Sequence, residues 1–448
     1  MTPAPSNHSE LLVRQLGALG VWLLAVNGMI GAGIFGVPAG AAALTGIYSP
    51  LVFAACGLLL AAVIACFAEI SSYFRATGGP ILYVQTAFGR LAGFQTGWAF
   101  YIARVTAFAA NINLLVASIA FFWRDAEAGA ARIGLLALIV GLLAWVNVLG
   151  VKQAMRSVGV LTLLKFIPLL VLVVMGLAWL EPAAFPVADT PAPDMAGFGT
   201  AALLVIYAFV GWETALVPAG EVRNPRRDMP KALFWALGVV TVLYVLVQAV
   251  SVAVHPELAE SERALVEVAA VLMGPGGAIL LTIGVVVSVG GNVAGTMISA
   301  PRLTYSLARQ GSFPTWFGRV HEQYRTPARS VLFFAVISFG LAVYGSFVWL
   351  AAMSALVRVL IYMACIGAMP RLRRRFAETA PEERPAFRLP GGWFIPAGAF
   401  VVCGLLLTRV GIESILGTVA VLGAGTVIYL GVRRANRDQP GTRNDPPQ

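Results

Sequence analysis

Between Arg14 and Glu69 the chain carries no Asp, Glu, Lys or Arg. An uncharged stretch of that length has room for two membrane-crossing helices of about 20 residues each. Comparable runs recur at residues 133–151, 232–254, 268–301, 389–408 and 414–431. Three further apolar stretches are interrupted by one charge each: Arg104, Lys165 and Glu213. A last run, 330–357, turns near Gly345-Ser346 and ends at Arg358. Only 12% of the residues are charged, 59% are hydrophobic, and the mean hydropathy is +0.82. A soluble chain carries roughly 25% charged residues, so polar groups this sparse do not cover soluble domains. Disordered, collagen-like and disulfide-rich classes are excluded on the same ground.

The runs predict an all-α integral membrane protein of twelve transmembrane helices, centred near residues 30, 60, 105, 140, 168, 208, 243, 287, 338, 358, 400 and 422. The first apolar run is too long for a secretory leader and has no convincing cleavage site, so it reads as a span. With the first residues in the cytoplasm, Arg14, Arg75, Arg90, Lys152 and Arg156 fall inside, followed by Arg223, Arg226, Arg227 and Lys231. So do five arginines over 302–329, six over 371–388 and four over 433–443. Twenty-four of the 31 basic residues are then cytoplasmic, against Arg124, Arg132, Arg263 and Arg409 outside. That bias orients the chain with both termini inside. It also accounts for the net charge of +10 without nucleic acid, because the basic residues sit in short membrane-flanking loops. Cys56, Cys66, Cys365 and Cys403 all fall in expected spans and read as small packing residues.

A spanning helix should avoid clustered breakers, yet the first span holds Gly28, Gly31, Gly33, Gly36 and Pro38. The sixth span breaks similarly at Phe209-Val-Gly211-Trp-Glu213, followed by Pro218 and Gly220. Unpaired backbone at membrane depth survives only around a cavity or ligand. Two interrupted spans five helices apart point to a transporter built from inverted repeats. The plainer alternative is that these glycines only let helices pack closely. A four-residue echo, Val37-Pro-Ala-Gly40 and Val217-Pro-Ala-Gly220, carries little weight.

Several motifs together resemble the amino acid–polyamine–organocation (APC) superfamily. They are Ile30-Gly-Ala-Gly-Ile-Phe35, Ala68-Glu69-Ile-Ser-Ser72 with Gly78-Gly79, Tyr83 and Phe88-Gly89, and Asn147-Val-Leu-Gly-Val-Lys152. Ala219-Gly-Glu-Val-Arg-Asn-Pro-Arg-Arg227 and the stretch from Ser299 to Pro314 complete the set, which covers about residues 15–370. The resemblance implies the leucine-transporter-type 5+5 inverted repeat, with helices 1 and 6 broken. It implies a bacterial inner-membrane permease for amino acids or related small amines, working by alternating access without a cofactor. The implied organisation is a cytoplasmic segment 1–16, a ten-helix core 17–370, a basic loop 371–392, helices eleven and twelve over 393–432, and a tail 433–448.

In that frame, N–H groups freed at Ile30, Gly31, Ala32, Gly33 and Ile34 suit an α-carboxylate, because a helix N-terminus is partially positive. Carbonyls freed around Phe209, Val210 and Gly211 suit an α-ammonium group. Tyr207, Phe209 and Trp212 are candidate walls, with lipid-facing packing as the alternative. Lys165 is the single amine of helix five. In sodium-independent family members a lysine stands at the matching place, where sodium would otherwise sit. An amine taken out of water holds its proton less tightly, so Lys165 is a candidate proton-coupling group. A fixed charge that merely replaces sodium is the other reading. Glu213 needs a partner at membrane depth, either Arg104 or Arg358. The resemblance puts Glu213 near a gate with Tyr362, and Arg358, one turn before Tyr362, is the preferred partner. Arg104 argues against cationic substrates if it faces the pathway; otherwise it snorkels or is neutralised by Glu213.

His8, His255 and His321 fall in loops or the tail, and HExxH, CxxC, GxSxG and phosphate-loop patterns are absent, which argues against an enzyme. A channel or a nutrient-sensing receptor on the same fold is a further alternative. Among carriers, proton symport leads and sodium-independent exchange is second. The expected partners are an amino acid or small amine, protons and the lipid bilayer.

Overall fold

The computed structural model of the protein describes residues 17–74, 78–149, 158–181, 185, 190–217, 222–377 and 387–437. Arg14, Arg75, Lys152, Arg156, Pro218, Gly220, Arg384 and Arg443 lie outside the described residues, as do the segment 1–16 and most of the tail. The described residues form helices and no strand. The first ten α-helices are α1 Ala18–Met29, α2 Gly33–Gly36, α3 Pro38–Thr45, α4 Ser49–Ser72, α5 Gly79–Phe88, α6 Arg90–Ile119, α7 Gly129–Leu149, α8 Val158–Gly176, α9 Met195–Phe209 and α10 Pro225–Val254. They are followed by α11 Ala264–Ser299, α12 Pro301–Arg309, α13 Ala328–Tyr344, α14 Phe347–Ala377, α15 Phe394–Leu407 and α16 Ile412–Arg437.

Among the described residues, eight stretches are helical, long and apolar enough to cross a membrane. Four shorter apolar helices, Leu164–Trp179, Met195–Phe209, Ala328–Tyr344 and Phe394–Leu407, contain the remaining expected centres. The turn expected at Gly345-Ser346 separates α13 from α14. Sequence punctuation sets the boundaries. The Asp194 carboxylate accepts the Gly197 N–H at 2.6 Å and caps α9, and Pro225 opens α10 after Asn224. Gly274, at φ 65°, kinks α11 immediately before Pro275.

Large apolar side chains such as Leu58, Trp235, Val336 and Val427 stand exposed, a surface suited to lipid rather than water. The four cysteines are buried and free, as packing residues should be. Glu69, Lys165, Glu213 and Arg358 are buried as well, and each is partnered. Glu69 ends α4 with both oxygens occupied. Arg373 of α14 donates from Nε at 2.7 Å and from Nη2 at 2.8 Å. The Leu389 N–H adds a bond at 2.9 Å and the Tyr73 hydroxyl one at 3.0 Å. Arg373 also donates to the Gly392 carbonyl at 3.1 Å and lies over the Trp393 ring at 4.3 Å. At the edge of the bundle, α16 leans on α6 through the Trp98 indole, which donates to the Val421 carbonyl at 2.9 Å.

Candidate functional site

The break in α1 is a three-residue turn. Ile30 (φ −78°, ψ 87°) leaves helical geometry, and the Gly31 N–H donates to the Met29 carbonyl at 2.9 Å. Helix resumes at Gly33, so the first N–H groups of α2 have no acceptor in the preceding turn. The carbonyl side of the break is filled. Lys165 of α8 donates to the Ile30 carbonyl at 3.1 Å and to Asn27 Oδ1 at 2.8 Å, and the Tyr244 hydroxyl donates to the Met29 carbonyl at 2.9 Å. The Ser288 hydroxyl reaches the Gly31 carbonyl at 3.5 Å. Among the described residues, no acid pairs with Lys165.

The break in α9 follows Phe209. Val210 is extended, Gly211 sits at φ 114°, and a short 3-10 turn, Trp212–Leu216, follows. Here the N–H side is filled, because the Gly211 N–H donates to Glu213 Oε2 at 2.9 Å. Glu213 Oε1 accepts from Arg358 Nε at 2.7 Å, and the Tyr362 hydroxyl lies 3.4 Å from Oε2. Arg358 also donates to the Ala103 carbonyl at 3.3 Å and to the Ser354 hydroxyl. The pair is buried, so its charges depend on each other and on these extra donors and acceptors. The two breaks touch. A Cβ on Gly28 would overlap the Gly211 carbonyl, and one on Gly211 would overlap the Gly28 backbone, so neither position has room for a side chain.

A cavity of about 470 Å³, its open mouth included, lies between the breaks and helices α6, α11 and α14. Its wall includes backbone from Gly31, Ala32, Gly33, Val210 and Gly211. Polar side chains come from Arg104 and Asn111 of α6, Tyr207, Thr214, Asn292 and Thr296 of α11, and Arg358. The Tyr207 hydroxyl donates to Asn111 Oδ1 at 2.6 Å, and Asn111 Nδ2 donates to Asn292 Oδ1 at 2.9 Å. This chain of polar groups crosses from α9 through α6 to α11. Arg104 donates to the Ser299 hydroxyl at 3.3 Å, and its guanidinium stands 5.2 Å from the Phe100 ring centre. Its Nε is buried without a partner.

Several sequence expectations are corrected by this geometry. Tyr207 lines the cavity, but Phe209 and Trp212 do not. Two residues along a helix is about 200°, so Phe209 turns away from Tyr207 and packs on Phe53 and Tyr244. Trp212 lies in the 3-10 turn and packs edge-on to Phe67 and beside Tyr362. The Ile30 N–H donates to the Val26 carbonyl at 2.8 Å and the Gly31 N–H to the Met29 carbonyl, so neither is free for a carboxylate, and neither Ile30 nor Ile34 lines the cavity. Gly33 is not explained by ligand access alone, because a Cβ there would overlap the Ala208 backbone; close helix packing also demands glycine. At Gly31 a Cβ would come 3.0 Å from the Asn292 amide nitrogen, facing the polar wall. Arg104 has no ion pair with Glu213.

Sequence reasoning missed Asn27, Asn111, Tyr244, Asn292, Thr214 and Thr296. The signal available was an amide inside an uncharged span, which is costly in lipid unless it meets a partner. Among the described residues, no group of three or more His, Cys, Asp or Glu side chains is placed to hold a metal ion.

A family model described as amino acid permease matches residues 16–424. A serine/threonine exchanger of Bacillus subtilis is 27% identical over 442 residues, covering 94% of this chain and 98% of its own. A branched-chain amino acid permease of the same organism is 28% identical, covering 95% and 94%. A methylthioribose transporter, also from Bacillus subtilis, is 26% identical, covering 91% and 90%. The family consists of permeases rather than enzymes, and a match over most of the chain makes this protein a member of the amino acid permease family within the APC superfamily.

Proposed function

We propose that this transporter moves an amino acid across the inner membrane by alternating access, driven by protons. In this reading the chain crosses twelve times with both termini in the cytoplasm. Helices one to ten (residues 17–370) form two inverted five-helix repeats, the basic loop 371–392 follows, and helices eleven and twelve lie outside the core.

One observation carries the reading. Each break keeps open the end that the other has closed. The α1 break has its carbonyls taken by Lys165 and Tyr244 and presents the first N–H groups of α2. The α9 break has its N–H taken by Glu213 and its Gly211 carbonyl taken by the Thr214 N–H and hydroxyl, which leaves the carbonyls of Phe209 and Val210 for an ammonium group. A site with donors on one side and acceptors on the other fits the α-carboxylate and α-ammonium of one zwitterion. The exchanger and the branched-chain permease among the relatives support an amino acid as cargo.

Glu213, Arg358 and Tyr362 act as the gate, because they brace the α9 break against α14 and Arg358 forms part of the cavity wall. Lys165 couples transport to protons. Its charged form donates to Asn27 and Ile30, and a neutral amine holds them less well, so protonation biases the position of the first helix. Sodium-independent exchange is the second reading, favoured by the exchanger among the relatives and by the two close contacts that hold the amine.

Reconstitution into proteoliposomes tests both. Saturable, counterflow-stimulated uptake of an amino acid is expected; unsaturable flux or none at all would indicate a channel or a sensor. An imposed proton gradient should drive accumulation in the unmodified protein. In Lys165→Ala that accumulation is lost while exchange survives. If the variant still accumulates cargo, Lys165 is not the coupling group.

A further inference from the structure

The cavity carries two guanidinium groups and, among the described residues, no carboxylate on its wall. The charge of Arg358 is already answered by Glu213 at 2.7 Å. The remaining capacity of that carboxylate is spent on the Gly211 N–H and the Tyr362 hydroxyl. Arg104 is placed differently. It lies at the middle of the 30-residue α6, and its neighbours are a serine hydroxyl at 3.3 Å and the face of Phe100. Both are neutral, and Nε is buried with no acceptor. The amides beside it are engaged with Tyr207 and with each other. A cation at this depth with no acid paired to it is costly.

From this imbalance we infer that the substrate brings the missing negative charge, and that the cargo is an acidic amino acid whose side-chain carboxylate binds Arg104. The inference rests on the carrier reading above. The α-carboxylate and α-ammonium are held by the open ends of the two breaks, which leaves Arg104 for a third group. A neutral side chain would leave the guanidinium unanswered, and a basic one would add repulsion. A carboxylate supplies both the charge and the paired oxygens that a guanidinium fork takes best. The specificity-determining residue is therefore Arg104, on the wall that α6 contributes.

Equilibrium binding to the purified full chain tests this, with L-glutamate, L-aspartate, L-glutamine, L-asparagine, L-serine, L-leucine and L-arginine as probes. Each acid is matched in shape by its amide, so the pair isolates the charge. Glutamate or aspartate should bind at least about tenfold tighter than its amide. In Arg104→Gln that ratio should fall to about one, and in Arg104→Lys, which keeps the charge, the preference should persist. An amide that binds as tightly as its acid overturns the inference, as does a ratio that Arg104→Gln leaves unchanged. The acid-to-amide ratio of the unmodified protein decides the matter even if Arg104→Gln fails to fold. Binding of serine or leucine without glutamate or aspartate overturns the inference alone. If no amino acid binds, the carrier reading falls together with it.

Discussion

The two interrupted helices solve one problem in opposite ways. Where α1 stops, a lysine from a different helix reaches in and takes the carbonyls. Where α9 stops, a glutamate two residues further on turns back and takes the N–H. The first remedy is long-range and uses a flexible amine on a four-carbon stem; the second is local and rigid, pinned from behind by Arg358 and Tyr362. In each case the closing charge has the sign that opposes the partial charge of the helix end it meets. The contrast suggests a division of labour. The α9 break is braced by a buried charge pair, while the α1 break is held by contacts that loss of the proton from one amine can loosen.

The bracing should therefore dominate stability. Replacing Glu213 with Ala strands a buried guanidinium, and a loss of about 3–5 kcal/mol is expected. This would appear as a large drop in the unfolding midpoint in detergent. Removing both charges, as in Glu213→Leu with Arg358→Met, should recover most of that loss while transport stays absent. If the single and double variants unfold alike, the pair does not hold the break.

Next in size are the glycines where the breaks meet. Gly28→Ala or Gly211→Ala forces backbone against backbone and should cost about 2–3 kcal/mol. Gly33→Ala, pressed on Ala208, should behave like them. Gly31→Ala faces only the Asn292 amide, so the fold should survive and ligand-induced stabilisation should weaken. Equal loss of stability at Gly31 and Gly33 would erase the distinction between ligand-facing and packing glycines.

Lys165→Ala leaves Asn27 Oδ1 and the Ile30 carbonyl without their donor, at about 1–3 kcal/mol, less than loss of Glu213 because no opposite charge is stranded. Smallest is the pair Tyr207→Phe and Phe209→Leu. The first removes the hydroxyl that Asn111 accepts, costs about 0.5–1.5 kcal/mol and shifts ligand affinity. The second disturbs packing on Phe53 and Tyr244 and should leave affinity unchanged. An affinity change in Phe209→Leu would place that ring back on the cavity wall.

Much of this architecture is legible in the chain because lipid tolerates few charges. The absence of charge from Arg14 to Glu69 marks helices, and Glu213 stands out within its span simply by being ionisable. Arg358 is preferred over Arg104 as its partner only through the family resemblance, which places Glu213 near Tyr362, one turn from Arg358. The cavity wall was harder to see. Asn111 and Asn292 lie 181 residues apart, and only the packing of α6 against α11 brings their amides together. The direction of a ring on a short helix end was equally hidden, since Phe209 and Trp212 are governed by where Phe53, Tyr244 and Phe67 happen to leave room. Gly33 is both on the cavity wall and against the Ala208 backbone, and the two demands leave the same mark in a sequence.

The knot around Glu69 has a mechanical consequence. One carboxylate fastens the end of α4, the end of α14 and the strip from Leu389 to Trp393 that leads into α15. Separating any of these three parts gives up a bidentate bond, a backbone bond or both, in a place where water is scarce. The end of α14 and the strip into α15, 304 and 320 residues beyond Glu69, are thereby fastened to α4 at one point. Loosening any one of the three parts therefore disturbs the other two, because a single buried acid holds them all.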